Sequence, residues 1–338
     1  MAFVAPRPET WIRTTSAGLY CEAGDFYIDP VRPVPRAVIT HGHGDHARSG
    51  NERVLATPGT IAIMRERYGE AAGGALQPLA YGETVTTGDV TVRLVPAGHV
   101  LGSAQIVLEC RGGRVVVSGD YKRRPDPTCA AFEPCNCDLF ITEATFGLPV
   151  FRHPPDGQEI DKLLHSLSLF PDRCHVVGVY ALGKCQRVLA LLRRAGYKEP
   201  VYLHGALLGL TELYESLGVP LGPVLPCAGV AREAFKGRIV LAPPAATTDR
   251  WSRRLPDPLV AMASGWMRVR QRAKARGVEL PLVISDHADW DELTTTIDEV
   301  AAQEIWVTHG REEALVYYAS KKGYRAGALA LTGFEEDE

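Results

Sequence analysis

Thr40-His41-Gly42-His43-Gly44-Asp45-His46 is the stretch whose reading decides the fold. It follows a short apolar run, Ala37-Val38-Ile39, which reads as the end of a buried strand. The strand must stop at the glycines, which places His41, His43, Asp45 and His46 in a turn and in the first helical residues beyond it. Imidazole and carboxylate together suit Zn2+ and similar divalent ions. His41 and His43 are two apart, so in extended backbone they point the same way and can share one ion. Asp45 and His46 lie just beyond and can reach a second. The chain has ten histidines, and three within six residues is a poor match to an ordinary polar surface loop.

Composition sets the bounds. At 338 residues the chain is one large or two ordinary domains. It is 46% hydrophobic, enough for a substantial core, and its net charge of -3 gives no global basic signature. A local basic groove would still suffice for nucleic acid. No apolar run reaches the length of a membrane span. The start, Met1 to Pro8, lacks the charged and apolar regions of a signal peptide. Eight scattered cysteines in a chain this long read as reduced, packed residues. Cys135-Asn136-Cys137 could bind a metal, but it has no partner pair. These features predict a soluble cytoplasmic protein with no membrane contact. The acidic end, Glu335 to Glu338, reads as a frayed tail.

Taken in order, Leu19-Tyr20-Cys21 and Phe26-Tyr27-Ile28 predict a hairpin, followed by Asp29-Pro30 at a strand end. Thr60 to Tyr68 is helical in pattern, and Glu83 to Val95 alternates as strands do. Pro96-Ala97-Gly98-His99 ends that run; a lone histidine there is more often structural than a ligand. Ile106–Leu108 and Val115–Val117 predict a second hairpin, and the latter delivers Asp120 at its carboxyl end. An Asp in a strand-ending turn is by itself common. Leu139 to Thr142 is a further strand, and it leads to Glu143. Between residues 151 and 277, continuous apolar runs alternate with helical stretches, the pattern of a parallel α/β sheet. Within it, Gly183 opens a helix with Lys184 in its first turn and Arg187 one turn on. That is either an anion site or a helix start with solvated cations. Five cations between Arg268 and Arg276 either meet phosphates or decorate a solvated helix. Pro281 to Trp290 returns to a strand and a polar turn, and Ile305 to Val307 leads to His309.

His-x-His-x-Asp-His after a strand resembles the metallo-β-lactamase fold superfamily of metal-dependent hydrolases. Glu143-Ala144-Thr145-Phe146-Gly147, Ser285-Asp286-His287-Ala288-Asp289 and Thr308-His309-Gly310 resemble motifs A, B and C of its β-CASP nucleases. Tyr180-Ala181-Leu182-Gly183-Lys184 and Ser264-Gly265-Trp266 are similar to elements of the Artemis-like branch. The Gly265-Trp266-Met267-Arg268-Val269-Arg270 and Ser285 to Trp290 runs resemble bacterial ligase-associated DNA exonucleases. His309 departs from the crosslink-repair members, which often have Val there, and so keeps RNA-processing members open.

The resemblance implies an α/β fold: a metallo-β-lactamase αββα sandwich, 1–150 and 278–338, with an inserted α/β β-CASP nucleic-acid-binding domain at 151–277. It implies two divalent ions, Zn2+ by ligand type with Mn2+ as an alternative. One would take His41, His43, His99 and bridging Asp120; the other Asp45, His46, Asp120 and His309. Asp29 would orient ligands from behind. Asp45, Glu143 and His287 would be catalytic, with His287 as the general acid oriented by Glu143; a structural His287 in a polar turn is the plainer alternative. Gly183, Lys184, Arg187, Ser264, Gly265 and Trp266 would touch substrate in a cleft between the domains. The implied activity is phosphodiester hydrolysis of DNA, a 5′-to-3′ exonuclease in repair associated with a DNA ligase or helicase. An RNA-processing nuclease and a non-nuclease metallohydrolase are the alternatives.

Overall fold

Alternation along single strands builds the first half of the molecule. In Gly113–Val117, Val115 and Val117 join one buried cluster while Val116 joins another. Leu139–Ala144 divides the same way, Leu139 and Ile141 against Phe140. Arg53–Ala56 sends Leu55 to the first cluster and Val54 and Ala56 to a third. Side chains two apart share a face, so each sheet is buried on both sides.

The computed structural model describes residue 7 and residues 10–329. The acidic tail and, apart from Arg7, the first eight residues lie outside them. No helix among the described residues is long and apolar enough to cross a membrane.

One unit comprises the chain through Arg152 and again from His287. Its first sheet holds six strands in chain order, from Ile12–Thr15 to Ala75–Pro78. Its second holds seven, with the late strands Glu304–Gly310 and Arg325–Ala328 added beside Leu139–Ala144. The cluster containing Phe26, Val38, Leu94, Ile106, Val115 and Ile141 fills the space between the sheets. Helix Pro58–Tyr68 covers the outer face of the first sheet through Ile61 and Met64. Helices Trp290–Val300 and Glu312–Lys321 cover the second through Leu293, Ile297 and Leu315. This is the expected αββα sandwich, and both expected hairpins are present.

The other unit, His153–Asp286, is a six-stranded sheet, parallel throughout. Its strands Cys174–Gly178, Val201–Leu203, Ile239–Ala242 and Pro258–Ala263 are the continuous apolar runs of the expected parallel α/β sheet. The return to the first unit comes later than expected. Leu280–Leu282 pairs with Pro258–Ala263 as an edge strand, so the crossing falls at Asp286–His287 and not at residue 278. The strand at Pro281 was expected, but its partner was not, since pairing depends on a strand about twenty residues earlier.

Candidate metal centre

The site gathers at the carboxyl ends of strands in the first unit. Arg36–Val38 leads to the His41–His46 loop, Val90–Pro96 to His99, Gly113–Val117 to Asp120, and Glu304–Gly310 carries His309. The loop is a turn without the expected helix: His46 and Ala47 both donate to the His43 carbonyl, and the next helix starts at Pro58. Gly42 and Gly119 are required by crowding. A Cβ on Gly42 would lie 2.6 Å from Ile63, and one on Gly119 2.7 Å from Thr40, with Gly119 also at φ +56°.

Four ligand atoms converge on one point. His43 Nδ1 lies 3.1 Å from His41 Nε2 and 3.0 Å from His99 Nε2. Asp120 Oδ2 lies 3.4 Å from His41 Nε2. Ligands about 2.0–2.1 Å from a tetrahedral Zn2+ stand roughly 3.3 Å apart, so these spacings are those of a coordination shell. A second group adjoins it. Asp45 Oδ2 is 3.4 Å from His46 Nε2 and 3.9 Å from His309 Nε2. Asp120 Oδ2 also lies 3.5 Å from His46 Nε2, so one carboxylate serves both groups. Oδ1 of Asp45 and Oδ1 of Asp120 are buried with no hydrogen-bond partner among the described residues. Buried carboxylate oxygens in that state fit a cation. All seven expected ligands therefore meet, and the donor set fits two divalent ions.

A relay behind the ligands fixes their ring nitrogens. Thr40 donates its hydroxyl to Asp29 Oδ2 at 2.5 Å and its amide to Oδ1 at 2.8 Å. The Thr40 oxygen is then the acceptor for His41 Nδ1–H at 3.0 Å, leaving Nε2 as the lone pair. Asp29 also takes His46 Nδ1–H at 2.8 Å, again freeing Nε2 for the metal side. Asp29 thus orients two ligands, one directly and one through Thr40. The role of Thr40 was not legible from sequence, although its place beside His41 was a hint.

Electrostatics agree with lone-pair donors. Burial, then the neighbouring imidazoles, push His41 well below the ordinary imidazole range. Burial and His46 bring His309 down to about 3. His46 differs: burial works to lower it, but Asp120, Asp45 and Asp29 outweigh that and hold it at about 10. Burial pushes Asp120 upward against the pull of His46. Without a cation, His46 carries the proton that this cluster of carboxylates retains.

His309 reaches the site through a bulge. Thr142 pairs with Val307, yet Ala144 pairs with Gly310, so the later strand has one residue extra opposite Glu143. His309 sits there at φ 63°, and a bulge re-aims side chains in this way. Glu143 accepts the Tyr121 amide at 2.7 Å through Oε1 and lies 2.9 Å from His287 Nδ1 through Oε2. Asp120, Glu143 and His287 could also hold an ion by proximity. Glu143 is already engaged by Tyr121 and His287, which favours a hydrogen-bonded pair over a third metal position. Buried Lys122, which sequence reading passed over, pairs with Asp126 at 2.6 Å and reaches the His99 carbonyl at 3.4 Å.

The expected substrate contacts in the second unit turn out differently. Lys184 does open helix Lys184–Arg194, but it is 0% exposed. Its ammonium donates to the Ile284 carbonyl at 2.8 Å and lies 3.3 Å from Asp286. Arg187 is equally buried, bonded to Asp286, Asp156 and the Ser285 carbonyl. The Gly183 amide is taken by Gln186. Ser264 caps the Trp266 amide, and Trp266 is buried with Arg272 stacked 3.8 Å over its ring. These residues form internal packing and ion pairs, and the reading of Lys184 and Arg187 as solvated or phosphate-facing cations is corrected by their carboxylate partners.

Residues 18–174 match the family model of the metallo-beta-lactamase superfamily. The chain carries a metallo-β-lactamase superfamily domain. Over 94% of its length it is 31% identical to a probable DNA ligase from Opitutus terrae, of which it spans 31%. It is 29% identical over 227 residues to a ribonuclease from Thermus thermophilus, of which it spans 51%. Over 169 residues it is 30% identical to an endoribonuclease from Neurospora crassa, spanning 19% of that protein. A crystal structure of a protein of unknown function from Enterococcus faecalis aligns with a TM-score of 0.57, covering 89% of this chain and 80% of that one at 13% identity, a likeness of fold. The superfamily domain implies divalent-metal binding, and the His/Asp clusters are placed to provide it.

Proposed function

We propose that the protein is a dinuclear phosphodiesterase that degrades DNA from a 5′ end in repair, as a β-CASP nuclease of the ligase-associated kind. One observation carries the dinuclear reading: Asp120 Oδ2 lies within 3.5 Å of both His41 Nε2 and His46 Nε2, one from each ligand group. When bound, two divalent cations would neutralise phosphate charge and acidify a water for attack. The ions would be Zn2+ by donor type, with Mn2+ as an alternative. Asp45 would hold the second ion with His46 and His309. His287, oriented through Nδ1 by Glu143, would present Nε2–H to the departing 3′-oxygen.

DNA is favoured because a relative matched along 94% of this chain is named a probable DNA ligase. A functional association with a DNA ligase or helicase and a cytoplasmic location belong to the same reading. RNA is the second reading, because two other relatives are named ribonucleases. Digestion of matched end-labelled DNA and RNA strands, with and without a 5′-phosphate, tests both. Progressive release of mononucleotides from the DNA 5′ end is the expected result. Cleavage of RNA alone would replace the first reading with the second, and cleavage of neither would refute both.

A further inference from the structure

The second unit contains a cavity that the hydrolytic reading leaves unused. It measures about 450 Å³ and opens where the strands Val201–Leu203 and Val224–Pro226 end, at Gly205 and Cys227. Outside the carboxyl ends of parallel strands is where open α/β sheets bind ligands, and the volume suits a small organic molecule. Arg232, Trp251 and Arg254 line it beside Gly229. Gly229 sits at φ +77° with open space where a Cβ would be.

The chemistry of the lining is specific. Trp251 is half-buried, seated on the cluster of Phe235 and Leu255, and held edge-on against the His204 ring at 4.7 Å. His204 Nδ1 accepts the Ala206 amide, which leaves Nε2 as its donor. Arg250, Arg253 and Arg254 are exposed and make no salt bridge among the described residues. Arg232 donates to the Leu255 carbonyl at 3.4 Å and makes no salt bridge among the described residues. Nearby carboxylates are occupied: Asp249 accepts the Trp251 amide at 2.6 Å, and Glu233 pairs with Lys236 at 2.7 Å. A fixed aromatic face beside uncompensated arginines recognises a base and its phosphate together.

We propose that this cavity is a nucleotide-binding site, with Trp251 against the base and Arg232 and Arg254 against phosphate. The nucleotide belongs either to a single strand or to a free mononucleotide, and the test separates them. An acidic peptide would use the arginines but has no use for the indole face. The inference does not rest on the metal centre.

The metal-loaded full chain is titrated with two probes, dTMP and a labelled phosphorothioate oligothymidylate that resists cleavage. Trp251→Leu keeps every charge and should weaken binding about fivefold or more. Arg232→Gln with Arg254→Gln should lower the salt slope for the strand by about 1.4, at about 0.7 per phosphate contact. Thermal unfolding followed by circular dichroism should stay unchanged in both variants, which reports that the second unit is folded. Loss with the strand identifies a single-strand site, and loss with dTMP alone identifies a free-nucleotide site. Unchanged affinity for both probes overturns the proposal. So does polyglutamate competing as well as the oligonucleotide while Trp251→Leu binds normally.

Discussion

The His287–Glu143 pair gives the most searching test of the metal centre. The Tyr121 amide is bonded to Glu143 Oε1 at 2.7 Å, and His287 Nδ1 lies 2.9 Å from Oε2. In Glu143→Gln that amide keeps the carboxamide oxygen where Oε1 was, which turns the NH2 group toward His287. Nδ1 must then accept, and the imidazolium, with protons on both nitrogens, is disfavoured. A neutral Nε2–H is a far weaker acid. Removing a positioned general acid costs about 10²–10⁴ in rate. His287→Ala should therefore lose that much, and Glu143→Gln a large part of it, with both ions retained. The assay is single-turnover cleavage of an oligonucleotide whose bridging 3′-oxygen is replaced by sulfur. A thiolate leaves without a proton, so both variants should recover most of the lost rate on that substrate. Equal losses on the sulfur and oxygen substrates would refute the assignment and return His287 to a structural role.

Further predictions bear on the ligands and on the ion pair of the second unit. His41→Ala should lower bound metal from two ions per chain and abolish turnover in a folded protein; a fully active variant would remove His41 from the site. Metal uptake must displace the proton that three carboxylates keep on His46 up to about pH 10. Affinity should therefore rise with pH above neutrality, by up to about tenfold per unit, with proton release visible by calorimetry in buffers of different ionisation enthalpy. A pH-independent affinity would contradict it. Lys184→Met removes one of the two cations paired with buried Asp286. It should cost about 3 kcal/mol of stability in denaturant unfolding and leave the salt slope of nucleic-acid binding untouched. A flattened slope would restore Lys184 as a phosphate contact.

Residues whose role is set by local pattern were legible in the sequence. His41, His43, Asp45 and His46 lie within one short loop, and His99, Asp120 and His309 each follow an apolar run. The apolar runs show that the last three stand at strand ends; that they are ligands was implied only by the resemblance to the superfamily. The bulge that turns His309 inward was not legible, because register depends on the facing strand and not on the residue itself. Thr40 was missed for a similar reason: its hydroxyl matters only through Asp29, eleven residues earlier.

Lys184 and Arg187 show where sequence reasoning about charge fails. A cation at a helix start looks available to phosphate unless its partner is known. Here the partner is Asp286, about one hundred residues away. That aspartate lies in the same Ser285-Asp286-His287 run that suggested catalysis, and the run divides its labour. The Asp286 carboxylate is consumed by Lys184 and Arg187, while the next side chain, His287, is turned to Glu143. Adjacent residues with similar polarity therefore have different claims on function. Asp286 neutralises two buried cations that would otherwise be costly, so its replacement should act through stability. His287 presents Nδ1 to Glu143 at 2.9 Å, with Asp120 at 3.9 Å from the same nitrogen, and Nε2 is not the atom either contact uses, so its replacement should act through rate. Comparing Asp286→Asn with His287→Ala, by unfolding and by turnover on the same preparations, separates packing from chemistry within two neighbouring residues.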